Sequence, residues 1–172
     1  MRPAPGEVLH FSEDPTIEVF RPHVARTAQQ ATPYVWAVGH DRAPDYWFPR
    51  QCPRAMAWVG PSTTSNDRDR IIGAGSGTRV HAVEYSWLDA MRSVKLYAYR
   101  LSADAFTEYD AAVVATAEVR PLGPPERVGD LFELHDEAGI QLRVLSRLHD
   151  FWSEVITSTL EWSGIRLRNA RP

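Results

Sequence analysis

Two residue types are nearly missing from this chain of 172 residues: cysteine and lysine each occur once, as Cys52 and Lys95. A lone cysteine excludes an intrachain disulfide, cannot by itself anchor a structural zinc ion, and fits a reducing, cytoplasmic setting. Positive charge therefore rests on arginine, whose planar guanidinium suits carboxylate and phosphate better than an ammonium does. There is no excess of that charge either. A net charge of −3 builds in no general attraction to nucleic acid or to an anionic membrane. No apolar run approaches the ~20 residues that span a bilayer, and residues 1–6 lack the apolar stretch of a signal peptide.

Recognisable catalytic and metal-binding motifs are also missing. His10, His23, His40, His81, His135 and His149 show no HxH or HxxxH spacing, so no metal is expected. There is no G-x-S-x-G elbow and no phosphate loop. The "GAGSG" at residues 73–77 lacks the spacing of a dinucleotide fingerprint and leads into a strand rather than a helix. With no internal repeat and no linker, residues 1–172 are expected to form a single domain.

What is present is a mixture of short strands and helices without regular βαβ alternation, hence an α+β fold. Strands are expected at residues 7–11, 34–38, 79–83, 94–101, 111–119 and 140–145, from β-branched and aromatic content or period-two alternation. Residues 41–46 suggest a helix start capped by Asp41, with Pro44 early enough to be tolerated. Residues 84–92 read as a short helix, and Asp130 caps another that ends at Gly139. Residues 60–78 are polar and Gly-rich, and read as a surface loop. A long C-terminal helix over residues 148–162 would put Leu148, Trp152, Val155, Ile156, Thr159 and Leu160 on one face.

Two stretches hold residues able to do chemistry. His10 and Ser12 flank Phe11, so on a strand they share one face and offer an imidazole and a hydroxyl together. The structural alternative is that Ser12, Glu13 or Asp14 caps the following turn. In "DYWFPRQCPR", Tyr46, Trp47 and Phe48 beside Arg50 and Arg54 could hold a flat ring and a phosphate. They could equally fill a core. Cys52 would be nucleophilic only if Arg50 and Arg54 lowered its pKa; a cysteine between prolines is more often structural.

The segments "LHFSEDP", "YVWAV", "DYWFPRQCPR", "LYAYRL" and "SGIRLRNA" together resemble a family of uncharacterised bacterial proteins. More distantly, the order of elements resembles the ADP-ribosyltransferase fold, a split antiparallel β-core that binds NAD in a cleft. His10 and Ser12 are similar to that fold's first-strand histidine and the small hydroxyl residue after it. Tyr34 to Ala37 is similar to the second strand of the poly-ADP-ribose polymerases, and Tyr46 stands nine residues beyond Ala37, where their stacking tyrosine falls. Asp110 stands where the catalytic glutamate would be, with Glu108 and Glu118 as alternatives, and Phe11 replaces the usual glycine.

The resemblance implies that Asp110 or Glu108 would stabilise the oxocarbenium-like centre formed when the nicotinamide–ribose bond of NAD breaks. Tyr46 would stack on nicotinamide, His10 and Ser12 would hold the ribose and carboxamide region, and Arg21, Arg50 and Arg54 would meet the pyrophosphate. Three functions fit it. They are an NAD-using transferase or glycohydrolase, a catalytically silent domain binding a nucleotide or a protein partner, and an NAD-dependent RNA phosphotransferase, which net acidity does not favour.

Overall fold

The computed structural model describes residues 1–24, 32–110 and 112–172. In chain order its strands are β1 (Glu7–Ser12), β2 (Val35–Ala37), β3 (Arg54–Trp58), β4 (Arg79–Glu84), β5 (Tyr97–Ser102), β6 (Thr107–Tyr109), β7 (Ala112–Ala115), β8 (Glu126–Arg127), β9 (Gln141–Leu145) and β10 (Glu161–Ile165). The α-helices are α1 (Ser65–Ile71), α2 (Leu88–Ser93), α3 (Leu131–Glu137) and α4 (Leu148–Val155). The fold is α+β as expected. Among the described residues, no helix is long and apolar enough to cross a membrane.

The chain forms two compact units, each assembled from two separate stretches. The first comprises Met1–Trp47 and Lys95–Gly129, the second Phe48–Val94 and Asp130–Pro172.

The first unit holds two three-stranded antiparallel sheets, in the orders β1-β5-β8 and β2-β7-β6. They meet at Leu9 and Val38, whose N–H groups each donate to the other's carbonyl at 2.9 Å. Alternation along the strands sends Val8 on β1, Tyr99 and Leu101 on β5, Val35 and Ala37 on β2, and Ala115 on β7 into one core, closed by Phe20 and Val119. The polar residues that follow β1 tie this core's edge. The Ser12 hydroxyl accepts from Asp14 N, and Asp14 Oδ1 accepts from both the N–H and the hydroxyl of Thr16. The capping role weighed for Ser12 and Asp14 is therefore filled.

The second unit is built on a four-stranded sheet, β10-β3-β4-β9, antiparallel except for the β4–β9 pair. On one face Ala55, Ala57, Val80 and Ala82 are small or β-branched, which lets α1 and α4 lie close. The carboxylate of Glu84 is buried and accepts from Leu148 N, at the start of α4, and from Arg171 N, so it anchors two backbone segments at once.

Several expectations need correction. The C-terminal helix ends at Val155, and residues 161–165 form β10. Apolar periodicity continues past that point, but so does a run of Thr and Ser that competes for backbone acceptors. The Thr157 hydroxyl donates to Ser153 O and Glu154 O, that of Ser158 to Val155 O, and Thr159 N donates to Asp67. Residues 60–78 are not all loop, because Thr64 caps α1 by accepting from Asp67 N. Residues 43–46 form only a 3₁₀ turn, preceded by Arg42 and without a side-chain cap from Asp41. The strand expected at 94–101 starts at Tyr97.

Candidate ligand-binding face

β1 sends neighbouring side chains to opposite sides, and this separates the residues expected to act together. His10 lies on the core side, its ring 4.6 Å from that of Phe20. Its Nδ1 is 2.7 Å from the carbonyl of Trp36. A carbonyl only accepts, so Nδ1 carries a proton and donates it. The bond has a topological cause. Along the edge of β2 that faces away from β7, Val38 pairs with Leu9 and Tyr34 pairs with His23, whereas the Trp36 carbonyl between them is met by the His10 ring. The imidazole fills the place where β1 and β2 part. Ser12 shares that side and is buried.

Phe11 points the other way. Its ring is nearly parallel to that of Tyr46, with 6.4 Å between centroids and 5° between planes. Continuing the Leu9–Val38 pairing brings Trp36 opposite Phe11, so both lie on the side of the strands away from that core, together with the buried Leu9 and Val38. Tyr34, two residues before Trp36, lies there too. Register adds Tyr109, because Trp36 pairs with Val114, Val114 with Thr107, and Tyr109 with Ala112. Tyr34, Trp36 and Tyr109 touch one another with centroids 5.5 to 5.9 Å apart. One side of this unit therefore presents five half-buried aromatic rings: Phe11, Tyr34, Trp36, Tyr46 and Tyr109. The other side is the closed core.

The carboxylates are elsewhere. Asp110 opens the turn between β6 and β7, exposed and with φ +50°, a left-handed conformation that Asp tolerates better than most side chains. Glu108 alternates with Tyr109 and so leaves β6 on the side away from the rings, also exposed. Glu118 accepts from Arg21 Nε at 2.7 Å on the surface. Of the expected site, the structure thus brings together His10 and Ser12, puts Tyr46 with Phe11 on the opposite side of β1, and leaves Asp110 and Glu108 in solvent.

Arg50 and Arg54 belong to the second unit. Arg50 is exposed, while Arg54 is buried, donates to Cys52 O at 2.9 Å, and stands over the Phe48 ring. Trp47 and Phe48 are buried as well, so most of "DYWFPRQCPR" fills cores. Burial pushes the Cys52 thiol up to about 12; Arg54 pulls against this and Glu84 adds to it. Cys52 is structural.

Phe11 as a ring partner and Tyr109 are absent from the residues expected of the site. The signals were present: Phe11 follows Leu9 at period two, and Tyr34-x-Trp36 repeats the same alternation. No curated protein and no solved structure matches the chain. A family model matches residues 9–170, so the span reaches across both units. The chain belongs to the family of unknown function DUF6886.

Proposed function

We propose that this chain binds a nucleotide through its flat ring, with NAD as the first candidate, and holds it without cleaving it. The parallel pair of Phe11 and Tyr46 carries this reading, with its 6.4 Å between centroids. Parallel rings at this spacing are an offset pair, so a flat ring would stack on the half-buried rings of this face rather than enter between them. Tyr34, Trp36 and Tyr109 extend the same surface, and stacking a base on an aromatic side chain contributes about 1–3 kcal/mol.

Binding is favoured over cleavage by the position of the carboxylates. A carboxylate opposes a developing cation strongly only where water is excluded, and both Glu108 and Asp110 are exposed. RNA is disfavoured because the segments of this unit hold more Asp and Glu than Lys and Arg.

The test is calorimetric titration with NAD, AMP and nicotinamide up to millimolar concentration, alongside an assay for released nicotinamide. Saturable binding without nicotinamide release is expected. Tyr46→Ala and Phe11→Ala should each weaken it roughly tenfold or more. No binding at millimolar ligand, or full affinity in both variants, overturns the proposal. Nicotinamide release that disappears in Asp110→Asn would establish the enzymatic reading instead.

A further inference from the structure

The second unit contains a buried chain of side-chain hydrogen bonds that has no part in the aromatic face. His81, on β4, is fully buried, and so is His135, on α3. Nδ1 of His135 lies 2.6 Å from Leu131 O, so it donates there. Arg79 Nε donates to His81 Nε2 at 2.9 Å, so that nitrogen is the acceptor. The remaining pair, His81 Nδ1 and His135 Nε2, is 3.1 Å apart. Only one arrangement satisfies all three contacts: Arg79 donates to His81, His81 to His135, and His135 to the carbonyl of Leu131. Both imidazoles are then neutral and both carry their proton on Nδ1. Phe48 packs on both rings, with centroids 5.6 Å from His81 and 5.0 Å from His135.

We propose that this relay is an acid-sensitive latch that holds α3 on its sheet and releases the helix when the surroundings become mildly acidic. A proton added to either ring must go on a nitrogen that already accepts a hydrogen bond, either His81 Nε2 from Arg79 or His135 Nε2 from His81. Two hydrogens would then face each other in a gap of about 3 Å, and the contact must open. Two cations share the face of the pair, Arg79 on β4 and Arg54 on β3, and β3 and β9 place Met56 and Leu142 directly beside His81. The acids of α3, Glu133, Asp136 and Glu137, are exposed; Glu161 lies on the same face at the far strand β10 and is exposed; Glu84 leaves β4 on the opposite side. Burial holds His135 below the ordinary histidine range, the bond to Leu131 O opposes this, and the charge of Arg79 reinforces it.

The sign follows from linkage. A histidine kept neutral when packed but free to titrate when released costs nothing above its unperturbed pKa of about 6.5. Below that value the released form takes up a proton and the packed form does not. Each pH unit then favours release by up to about tenfold through His135.

Hydrogen exchange of the whole protein tests this, comparing peptides over α3 with peptides over β4 and β1 at pH 7.5 and 5.5 after correction for intrinsic rates. The opening constant of α3 should rise roughly tenfold or more while the strands keep their protection. An unchanged α3 overturns the latch. So does a uniform rise in all segments, which is global acid unfolding. His135→Leu should abolish the pH dependence, and its persistence in that variant also overturns the proposal. Should that variant fail to fold, the wild type decides alone through imidazole ¹⁵N shifts. Two neutral Nδ1–H rings at pH 6.5 are expected, and a protonated ring or an Nε2–H tautomer at His81 or His135 refutes the assignment.

Discussion

The hydroxyl of Tyr99 donates to the backbone carbonyl of Asp14 at 2.8 Å and accepts from the N–H of Ile17 at 3.0 Å. One buried phenol on β5 thus closes the turn that leaves β1. Tyr99→Phe keeps the ring, its edge-on contact with Phe20 and the packing around it, and removes both bonds. Two backbone groups lose a partner, so the variant should be about 1–3 kcal/mol less stable, with the denaturant slope unchanged. A midpoint equal to wild type would mean that the turn holds without the phenol.

Arg100 stands between two carboxylates, with Nη1 2.6 Å from Glu7 and Nε 2.5 Å from Glu126. Hydrogen bonding to Arg100 is the main cause that lowers the pKa of both acids. A carboxylate with a lowered pKa contributes stability that is fully present above the unfolded carboxylate range, about 4.3 for Glu, and lost as pH falls through the folded value. Stability measured by urea unfolding should therefore fall below about pH 4.5, and fall less steeply in the double variant Glu7→Gln, Glu126→Gln. Equal slopes in the two proteins would remove this pair from the acid response.

Cys52 should be inert. A thiol pushed up to about 12 is ionised at pH 8 to only about one part in ten thousand, and the thiolate is the reacting form. Iodoacetamide at pH 8 should leave the folded protein unmodified and label it once in denaturant. Rapid labelling of the native chain would contradict the burial of this side chain.

Two glycines give opposite expectations for the same change. A Cβ on Gly164 would meet Leu167 Cδ1 at 2.6 Å and Trp152 Cη2 at 2.9 Å, and Trp152 is held edge-on against Trp162 at 5.3 Å. Gly164→Ala should cost about 1–3 kcal/mol, because a wedged indole cannot step aside. A Cβ on Gly60 would meet Glu161 Cγ at 2.4 Å, but that side chain is exposed and flexible. Gly60→Ala should stay within about 0.5 kcal/mol of wild type. Thermal unfolding of the two variants side by side distinguishes a fixed neighbour from a movable one.

Legibility in the sequence followed the strength of local periodicity. The strands at β1, β2, β4 and β9 and the Asp130 cap of α3 could be read because alternation and capping act over a few residues. The end of α4 could not. Its apolar period runs on through Ile156 and Leu160, and only side-chain bonds from Thr157, Ser158 and Asp67 reveal the stop. Helix α1 was hidden by its polar composition, because one buried residue, Ile71, is all its inner side shows. For the site, alternation correctly paired His10 with Ser12. It did not show that Tyr46 would meet Phe11, since that contact depends on where the turn at 43–46 folds back.

The interleaving of the two units sets an order for their assembly. His10 on β1 finds its partner Tyr99 on β5 only after all of the other unit's first stretch has been synthesised, and β3 waits for β10 near the far end. No single cut in the chain yields one whole unit, so a fragment ending at residue 94 or starting at 95 would strand unpaired edges on both sides of the break. Folding dominated by such distant pairings is slow and leaves strands exposed meanwhile. A circular permutant opened in the exposed loop near residue 75 would change which pairings are distant, and its refolding rate would reveal which unit closes first.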